Sequence, residues 1–272
     1  MVEKTMPKLT GVAETLLITL YARAIESQRP DALIKDDKAV AMVEQIECDF
    51  SRLKLHGHDE VAVILRIREF DRQAREFLVR NPNAAVVHIG CGLDTRFERV
   101  DNGRVEWFDL DLPEVIELRR HLLGGEKMRY HLLSGSVFEG AWLEMLNAYR
   151  QHAFLFLAEG VFPYFETAQV KSLVLTLHDH FPGAELVTDA HTPFVIWADN
   201  IHLARAKINA RLRWGLKRGK DVEEWGDDIT LLEEWFYFDR PEPRLNAFRW
   251  MRFLPILGKS TGIFHYQLGR KP

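Results

Sequence analysis

The feature that most constrains the fold of this chain is a short apolar run that ends on two glycines, in the segment VVHIGCGLD. Residues 84–89 predict a buried strand, and Gly90 and Gly92 occupy the turn that follows it. Glycine permits tight turning and a close approach of the backbone to a ligand. The segment therefore predicts a strand that delivers a ligand-binding turn to the start of a helix.

Strand and helix patterns alternate on both sides of this turn. A long amphipathic helix is predicted before it, at 61–80, and another helix begins after it near Asp94. Further strands are predicted at 105–108, 128–133, 153–157 and 185–189, with helices between them at 113–123, 139–149 and 167–181. Alternation of this kind predicts an α/β fold with a doubly wound, mostly parallel, Rossmann-like sheet.

The two ends of the chain extend this core. Residues 1–80 predict a helical amino-terminal cap, residues 84–190 the cofactor-binding core, and residues 191–272 a helical and aromatic lid region with a closing strand at 263–268. Within the lid region, residues 191–216 are predicted to be mostly helical. Because no repeat and no Pro/Gly/Ser-rich linker interrupts the sequence, we expect a single domain over residues 1–272.

Composition excludes several classes of protein. The 36 basic and 40 acidic residues are spread along the 272-residue chain and give a net charge of −4, which does not favour a nucleic-acid partner. Two cysteines are too few for a disulfide framework or a Cys-rich zinc site, and they suit a reducing compartment. No apolar run has the length needed to span a membrane. We therefore expect a cytoplasmic protein that acts on a small molecule and needs no metal.

Acidic and small polar residues follow the predicted strands of the core. Asp109 and Asp111 lie about 20 residues after the glycine turn, where a carboxylate that binds ribose hydroxyls is expected. Ser136 follows the third strand and is placed to hydrogen-bond an adenine edge. Glu159 directly follows a buried apolar strand, where a carboxylate needs a cationic partner. These residues predict a nucleoside cofactor with cationic groups, which S-adenosylmethionine possesses.

Three separated motifs resemble the leucine carboxyl methyltransferase family, particularly its bacterial polyketide-type O-methyltransferases. The motifs are HIGCGLDTRFERV, WFDLDLPEVIELRR and FLFLAEGVFPYF, and the resemblance covers roughly residues 15–189, including an R-x-R-x-x-D pattern at Arg66, Arg68 and Asp71. The resemblance implies a methyltransferase fold, S-adenosylmethionine as cofactor with S-adenosylhomocysteine as product, and methyl transfer to an oxygen. It also implies that the acceptor is the carboxylate of a small metabolite, of the aromatic or polyketide kind.

The resemblance also implies roles for individual residues. The cofactor is expected to lie over the glycine turn, with its ribose on Asp111, its amino acid end near Glu159 and its carboxylate on Arg66. Arg23 is a second candidate for the carboxylate, because the planar guanidinium of arginine pairs bidentately with that group. Tyr164 matches the tyrosine of an E-G-x-x-x-Y pattern and is expected to position the substrate.

Other functions remain open at the level of sequence. A phenolic acceptor would need a general base, for which His191 is the best-placed histidine. A nicotinamide-dependent oxidoreductase shares the strand, glycine and acid pattern, but Thr95 stands where a dinucleotide fingerprint has its third glycine. A non-catalytic protein that keeps the cofactor pocket is the third alternative.

The carboxy-terminal part of the chain is rich in aromatic residues, which favour a flat or apolar ligand. We expect the acceptor pocket there, although most of these residues are expected to belong to the core. They are Phe194, Trp197, His202, Trp214, Trp225, Trp235, Phe236 and Tyr237.

Overall fold

The computed structural model describes residues 5, 11–53, 55, 57–205, 210–239, 242–245, 250, 253, 254 and 258–270. Its helices and strands follow one another in the predicted alternation. The helices are α1 (Leu16–Ser27), α2 (Asp37–Gln45), α3 (His58–Arg80), α4 (Arg96–Val100), α5 (Pro113–Leu123), α6 (Ala141–Met145), α7 (Thr167–His180) and α8 (Pro193–Arg205). The strands are β1 (Ala85–Ile89), β2 (Glu106–Asp111), β3 (Tyr130–Ser134), β4 (Phe154–Ala158), β5 (Ala184–His191), β6 (Ile229–Phe236) and β7 (Thr261–Leu268).

The seven strands form one sheet in the order β3-β2-β1-β4-β5-β7-β6. Strands β1 to β5 run parallel, whereas β7 is antiparallel to both β5 and β6. The order of strands along the chain reverses between β1 and β4, and open α/β sheets bind ligands beside such a reversal, at the carboxyl ends of the strands. The predicted doubly wound, mostly parallel fold is confirmed.

Both faces of the sheet are covered, which explains why the central strands are apolar throughout. Every residue of β1 and β4 is buried. On one face, side chains such as Val87 and Phe156 pack against α6 and α7. On the other face, Val86 and Leu157 pack against a cluster that includes Phe70 and Phe77 of α3. The two covered faces hold the strand ends rigidly, so that the loops after them can carry a site.

The amino-terminal helices form a separate apolar layer at the carboxyl edge of the sheet. Leu17 and Leu20 of α1 and Met42 of α2 are buried in one cluster with Val115 and Leu118 of α5. This packing fixes α1 directly above the turn that follows β1. Among the described residues, no helix combines the length and the apolar character that crossing a membrane requires.

The lid region departs from its prediction in two places. Strand β6 was not predicted as a strand, and residues 210–216 have no regular structure although helix was predicted there; residues 206–209 lie outside the described part of the chain. The backbone of the irregular stretch is held instead by the segment after β4 and by the end of β5. Trp214 N–H donates to the Pro163 carbonyl at 3.1 Å, and Leu216 N–H donates to the His191 carbonyl at 2.9 Å. The division of the chain into cap, core and lid stays a prediction.

Candidate active site

A cavity of about 500 Å³ lies at the carboxyl ends of β1, β2 and β4. Ligand pockets in proteins have volumes of about 300 to 1,000 Å³, so it can hold a nucleoside-sized molecule. Its floor comes from the loops after these strands, and its roof from α1 and the turn before it. The lining residues lie at 88–94, 110–112, 135–138, 159–161 and 164–165, with 13, 15, 16, 18, 19, 23, 66, 115 and 203 completing the wall.

The predicted glycine turn forms the centre of the floor. Gly90 and Gly92 both have positive φ angles, of 64° and 51°. A Cβ atom on Gly90 would lie 2.3 Å from the Val161 side chain, so glycine is required there both by the backbone conformation and by the close approach of the next loop. The N–H groups of Gly90 and Cys91 donate to the Leu110 carbonyl, which ties the turn to β2.

The structure separates the two aspartates of β2. Asp111 lines the cavity, and its carboxylate accepts hydrogen bonds from the N–H groups of Gly92 and Leu112, both at 2.7 Å. Burial raises the pKa of Asp111 above the ordinary aspartate value. Asp109 does not line the cavity; it is buried beneath the floor with Arg119 and the Tyr130 hydroxyl. Its position does not support the predicted ribose contact and leaves Asp111 as the ribose candidate.

Glu159 and Arg66 meet on the cavity wall. Arg66 Nε donates to Glu159 Oε1 at 3.0 Å, and Arg66 Nη1 donates to Asp189 Oδ2 at 3.2 Å. The Gly160 N–H also donates to Asp189, at 2.7 Å. Burial disfavours the charge of Arg66, but Asp189 and Glu159 outweigh it and raise the pKa of the guanidinium. A carboxylate and a guanidinium thus face the cavity side by side, which matches the opposite charges of an amino acid group.

Several charged residues of this site were not predicted. Arg96 donates to the second oxygen of Glu159, and Arg99 lies one helical turn further along α4. Both arginines pair with Asp71 and Asp94, and Arg96 and Arg99 hold the pKa of Asp94 well below its usual range although burial acts in the other direction. The R-x-R-x-x-D pattern contains Asp71, but its spacing alone does not reveal partners on a distant helix.

Arg23 lines the cavity but is committed to other partners. Its Nε donates to Asp36 Oδ2 at 2.9 Å, and its Nη2 donates to the Leu93 carbonyl at 2.7 Å. These bonds connect α1 to α2 and to the loop after β1. Its expected contact with the cofactor carboxylate stays a prediction.

Ser136 and Tyr164 both line the cavity, in the loops after β3 and β4. The Ser136 hydroxyl accepts a hydrogen bond from the Phe138 N–H at 3.3 Å, so it stays near the backbone of its own loop. The Tyr164 hydroxyl donates to Thr15 Oγ1 at 3.3 Å, and burial raises the pKa of the phenol. Tyr164 therefore stays protonated at neutral pH and serves as a hydrogen-bond donor.

His191 does not lie among the residues that line the cavity. It ends β5, where its Nδ1 lies 3.1 Å from the Thr261 hydroxyl of β7, and burial lowers the pKa of its imidazole. Because the His191 side chain contacts Thr261 of β7 rather than the cavity, the structure does not support it as a general base for an acceptor there.

The carboxy-terminal aromatic side chains that the structure describes do not line the cavity either. Trp214, Trp235, Phe236 and Tyr237 are buried in the core, and Trp225 packs against it. Phe194 and Trp197 are exposed on α8, and the side chain of His202 lies outside the described part of the chain. Among the residues that the structure describes, the phenylalanine and tyrosine side chains that line the cavity are Phe138, Tyr164 and Phe165. Their short segments are interrupted by glycine and proline and give no periodic signal.

The chain is similar to known proteins over most of its length. Residues 16–178 match the leucine carboxyl methyltransferase family. The chain is 35% identical over 236 residues to the tetracenomycin polyketide synthesis O-methyltransferase TcmP of Streptomyces glaucescens, covering 86% of each chain. It is also 35% identical over 193 residues to the S-adenosyl-L-methionine-dependent methyltransferase dpfgK of Gibberella zeae, covering 66% of this chain and 64% of the relative.

Solved structures share the fold at low sequence identity. A protein from Thermobifida fusca superposes with a TM-score of 0.60 at 18% identity, covering 96% of both chains. A DUF574 family protein from Streptomyces avermitilis superposes with a TM-score of 0.59 at 14% identity, covering 95% of this chain and 97% of the other. The family match and the identity to TcmP extend over most of the chain. The chain therefore belongs to the leucine carboxyl methyltransferase family and is an S-adenosylmethionine-dependent methyltransferase.

Proposed function

We propose that this methyltransferase esterifies the carboxylate of a small molecule. The bound cofactor supplies an electrophilic methyl group on a sulfonium, and the acceptor supplies an oxygen lone pair in line with it. A carboxylate is already ionised at neutral pH, so it needs orientation and protection from water rather than a strong base.

The observation that carries this proposal is the pair of hydroxyls on the cavity wall, Tyr164 and Thr15. The two oxygens lie 3.3 Å apart, one on the loop after β4 and one at the start of α1. Because burial keeps the phenol protonated, Tyr164 can donate a hydrogen bond but cannot remove a proton from an acceptor. An acceptor oxygen that already carries negative charge would take this hydrogen bond in place of Thr15 Oγ1.

The cofactor is proposed to occupy the floor of the same cavity. Asp111 would bind the ribose hydroxyls, Glu159 the ammonium and Arg66 the carboxylate of the amino acid end, while Ser136 would meet the adenine edge. Each of these side chains lines the cavity, and the glycine turn between them lets the backbone approach. The pairing of Glu159 with Arg66 supports this arrangement because it presents the two charges that the amino acid end requires.

The apolar lining of the cavity favours an acceptor with an apolar skeleton. Phe138 and Phe165 meet edge to face, with ring centroids 4.7 Å apart, beside apolar side chains of α1 and its preceding turn. TcmP is named for polyketide synthesis, and an aromatic polyketide acid is the acceptor class we propose by that likeness.

An assay with labelled cofactor tests the acceptor. The protein is incubated with S-adenosylmethionine carrying a labelled methyl group and with matched aromatic acids, phenols and primary amides. A methyl ester releases labelled methanol in mild base, whereas a methyl ether or an N-methyl group does not. We expect base-labile label with acids only; base-stable label with the phenols would overturn the proposal.

The phenol alternative depends on a general base, and the histidine expected to provide it lies outside the cavity lining. The comparisons place the chain among methyltransferases rather than nicotinamide-dependent oxidoreductases. A protein that binds the cofactor without turnover would give neither kind of label with any acceptor in the assay.

A further inference from the structure

One buried arginine of α4 joins three segments that form the proposed cofactor site. Arg96 is 1% exposed and does not itself line the cavity. Its Nε donates to Asp71 Oδ1 of α3 at 2.8 Å, and its Nη2 lies 3.1 Å from Asp94 Oδ2 and 2.5 Å from Glu159 Oε2. The guanidinium also stacks over the Phe70 ring, 5.4 Å from its centroid. Arg96 thus contacts α3 and the loops after both β1 and β4 at once.

The Glu159 carboxylate is bridged between two guanidinium groups. Arg66, which lines the cavity, donates to Oε1, and Arg96, which does not, donates to Oε2. A carboxylate bonded at both oxygens cannot rotate, and charge-assisted bonds of this kind are about twice as strong as neutral ones. The two bonds therefore fix the orientation of the Glu159 carboxylate, which lines the cavity.

His88 completes the planar set of bonds around Arg96. Its Nε2 lies 3.3 Å from Arg96 Nη1, and a guanidinium can only donate, so Nε2 accepts and the proton resides on Nδ1. Nδ1 lies 3.6 Å from Asp109 Oδ1, beneath the floor of the cavity. Each of the three nitrogens of the planar Arg96 guanidinium thus has a partner. The single ammonium group of a lysine cannot reproduce these three bonds.

We propose that Arg96 is a positioning residue for the cofactor: it fixes the Glu159 carboxylate in the orientation that binds the ammonium of S-adenosylmethionine. This inference rests on the proposed role of Glu159. It predicts that changes at Arg96 weaken binding of the amino acid end of the cofactor and leave binding of its adenosine end unaffected.

The test compares ligands that share the adenosine end and differ at the other end. S-adenosylmethionine carries the amino acid group on a sulfonium, S-adenosylhomocysteine carries it on a neutral thioether and controls for the sulfur charge, and 5′-methylthioadenosine is a neutral thioether without the amino acid group. Calorimetric Kd values are measured for the wild type, Glu159→Gln, Arg96→Lys and the double variant, with thermal melting of each. We expect Arg96→Lys to weaken S-adenosylmethionine about tenfold or more and 5′-methylthioadenosine less than twofold, the loss of one charge-assisted bond.

Arg99→Lys is the matched control. Arg99 lies on the same helix and pairs with Asp71 and Asp94, but it does not contact Glu159. A merely structural role of the buried charges would make Arg99→Lys and Arg96→Lys alike and would weaken S-adenosylmethionine and 5′-methylthioadenosine together. If Arg96→Lys does not fold, Asp71→Asn removes the charge that holds Arg96 Nε. We then expect a smaller loss of affinity, again greater for S-adenosylmethionine than for 5′-methylthioadenosine.

The double variant separates the two proposals. If Arg96 acts through Glu159, the S-adenosylmethionine Kd of the double variant should differ less than twofold from that of Glu159→Gln alone. Equal losses for S-adenosylmethionine and 5′-methylthioadenosine in Arg96→Lys, or full additivity in the double variant, would overturn the inference while the role of Glu159 stands. An unchanged S-adenosylmethionine Kd in Glu159→Gln would instead refute the proposed role of Glu159, and the inference with it.

Discussion

At the scale of single residues, Gly90 carries a constraint that its neighbours do not share. Gly90→Ala combines an unfavourable positive φ with a Cβ placed 2.3 Å from Val161. Gly103→Ala has only the unfavourable φ, of 78°, because no atom lies within 4 Å of its added Cβ. We expect Gly103→Ala to lower the free energy of unfolding by about 1 kcal/mol and Gly90→Ala by about 2 to 4 kcal/mol. Urea denaturation measures both; equal losses would show that the close approach carries no cost.

Tyr164 offers a second test at this scale, on turnover rather than stability. Tyr164→Phe removes the hydroxyl that faces Thr15, so we expect kcat with an accepted acid to fall about tenfold while the Kd of S-adenosylmethionine changes less than twofold. Tyr149→Phe is the control, because Tyr149 packs against Phe108 outside the cavity lining. A parallel loss of cofactor affinity in Tyr164→Phe would contradict a role toward the acceptor.

Sequence reasoning reached some of these residues and not others. Gly90, Gly92, Asp111 and Glu159 lie at the ends of strands or within a few residues after them, so their place at the carboxyl edge of the sheet can be inferred from the chain itself. Arg96 could not be assigned in this way, because its partners lie on α3, after β1 and after β4, and only packing brings these segments together.

At the scale of elements, α3 is joined to the sheet by a buried carboxylate. Glu185 of β5 accepts from Arg80 Nη2 and lies against His265 Nε2, each at 2.8 Å. Burial alone would raise the pKa of Glu185, but His265 and Arg80 hold it below the ordinary value. Because the folded pKa is lowered, the stabilisation is present above the ordinary glutamate pKa and is lost as the pH falls through that range.

We therefore expect the wild type to lose stability between about pH 5 and pH 3 and Glu185→Gln to lose less over that interval. At pH 7 the same substitution should lower the free energy of unfolding by about 1 to 3 kcal/mol, the contribution of hydrogen bonds to a charged group. Glu126→Gln, in an exposed pair with Arg120, is the control with no expected effect. Identical pH profiles for the wild type and Glu185→Gln would refute this account.

The elements themselves differed in how well the sequence predicts them. Strands β1 to β5 were predicted because buried parallel strands are continuously apolar and alternate with amphipathic helices. Strand β6 escaped prediction because it lies at the edge of the sheet, where Leu232 is exposed and Glu233 and Glu234 interrupt the apolar pattern. Tertiary contacts, rather than local propensity, decide its conformation.

At the scale of the whole molecule, the site is assembled from segments far apart in the sequence. The carboxyl edge of the sheet supplies the charged floor, and α1 with its preceding turn supplies much of the roof. The sequence predicted the floor, since strand order and strand ends are regular. It placed the roof in the carboxy-terminal region, because aromatic content indicates burial there without distinguishing a pocket wall from a core.

Ligand binding should stabilise the whole chain. A ligand that binds only the folded state adds about 2.7 kcal/mol at a hundredfold excess over its Kd. We expect S-adenosylmethionine and S-adenosylhomocysteine to raise Tm in thermal melts and NAD to leave it unchanged. A rise with NAD and none with the other two would contradict the assignment of the cofactor.

The most direct test of the account is calorimetric titration of S-adenosylmethionine into the wild type, Asp111→Ala and Glu159→Gln, with circular dichroism to confirm folding. Both carboxylates line the cavity and are proposed to bind the cofactor. We predict Kd values in the range of about 1 to 100 μM for the wild type and losses of about tenfold or more in each variant. Unchanged affinity in both folded variants would contradict this account and move the cofactor to another part of the molecule.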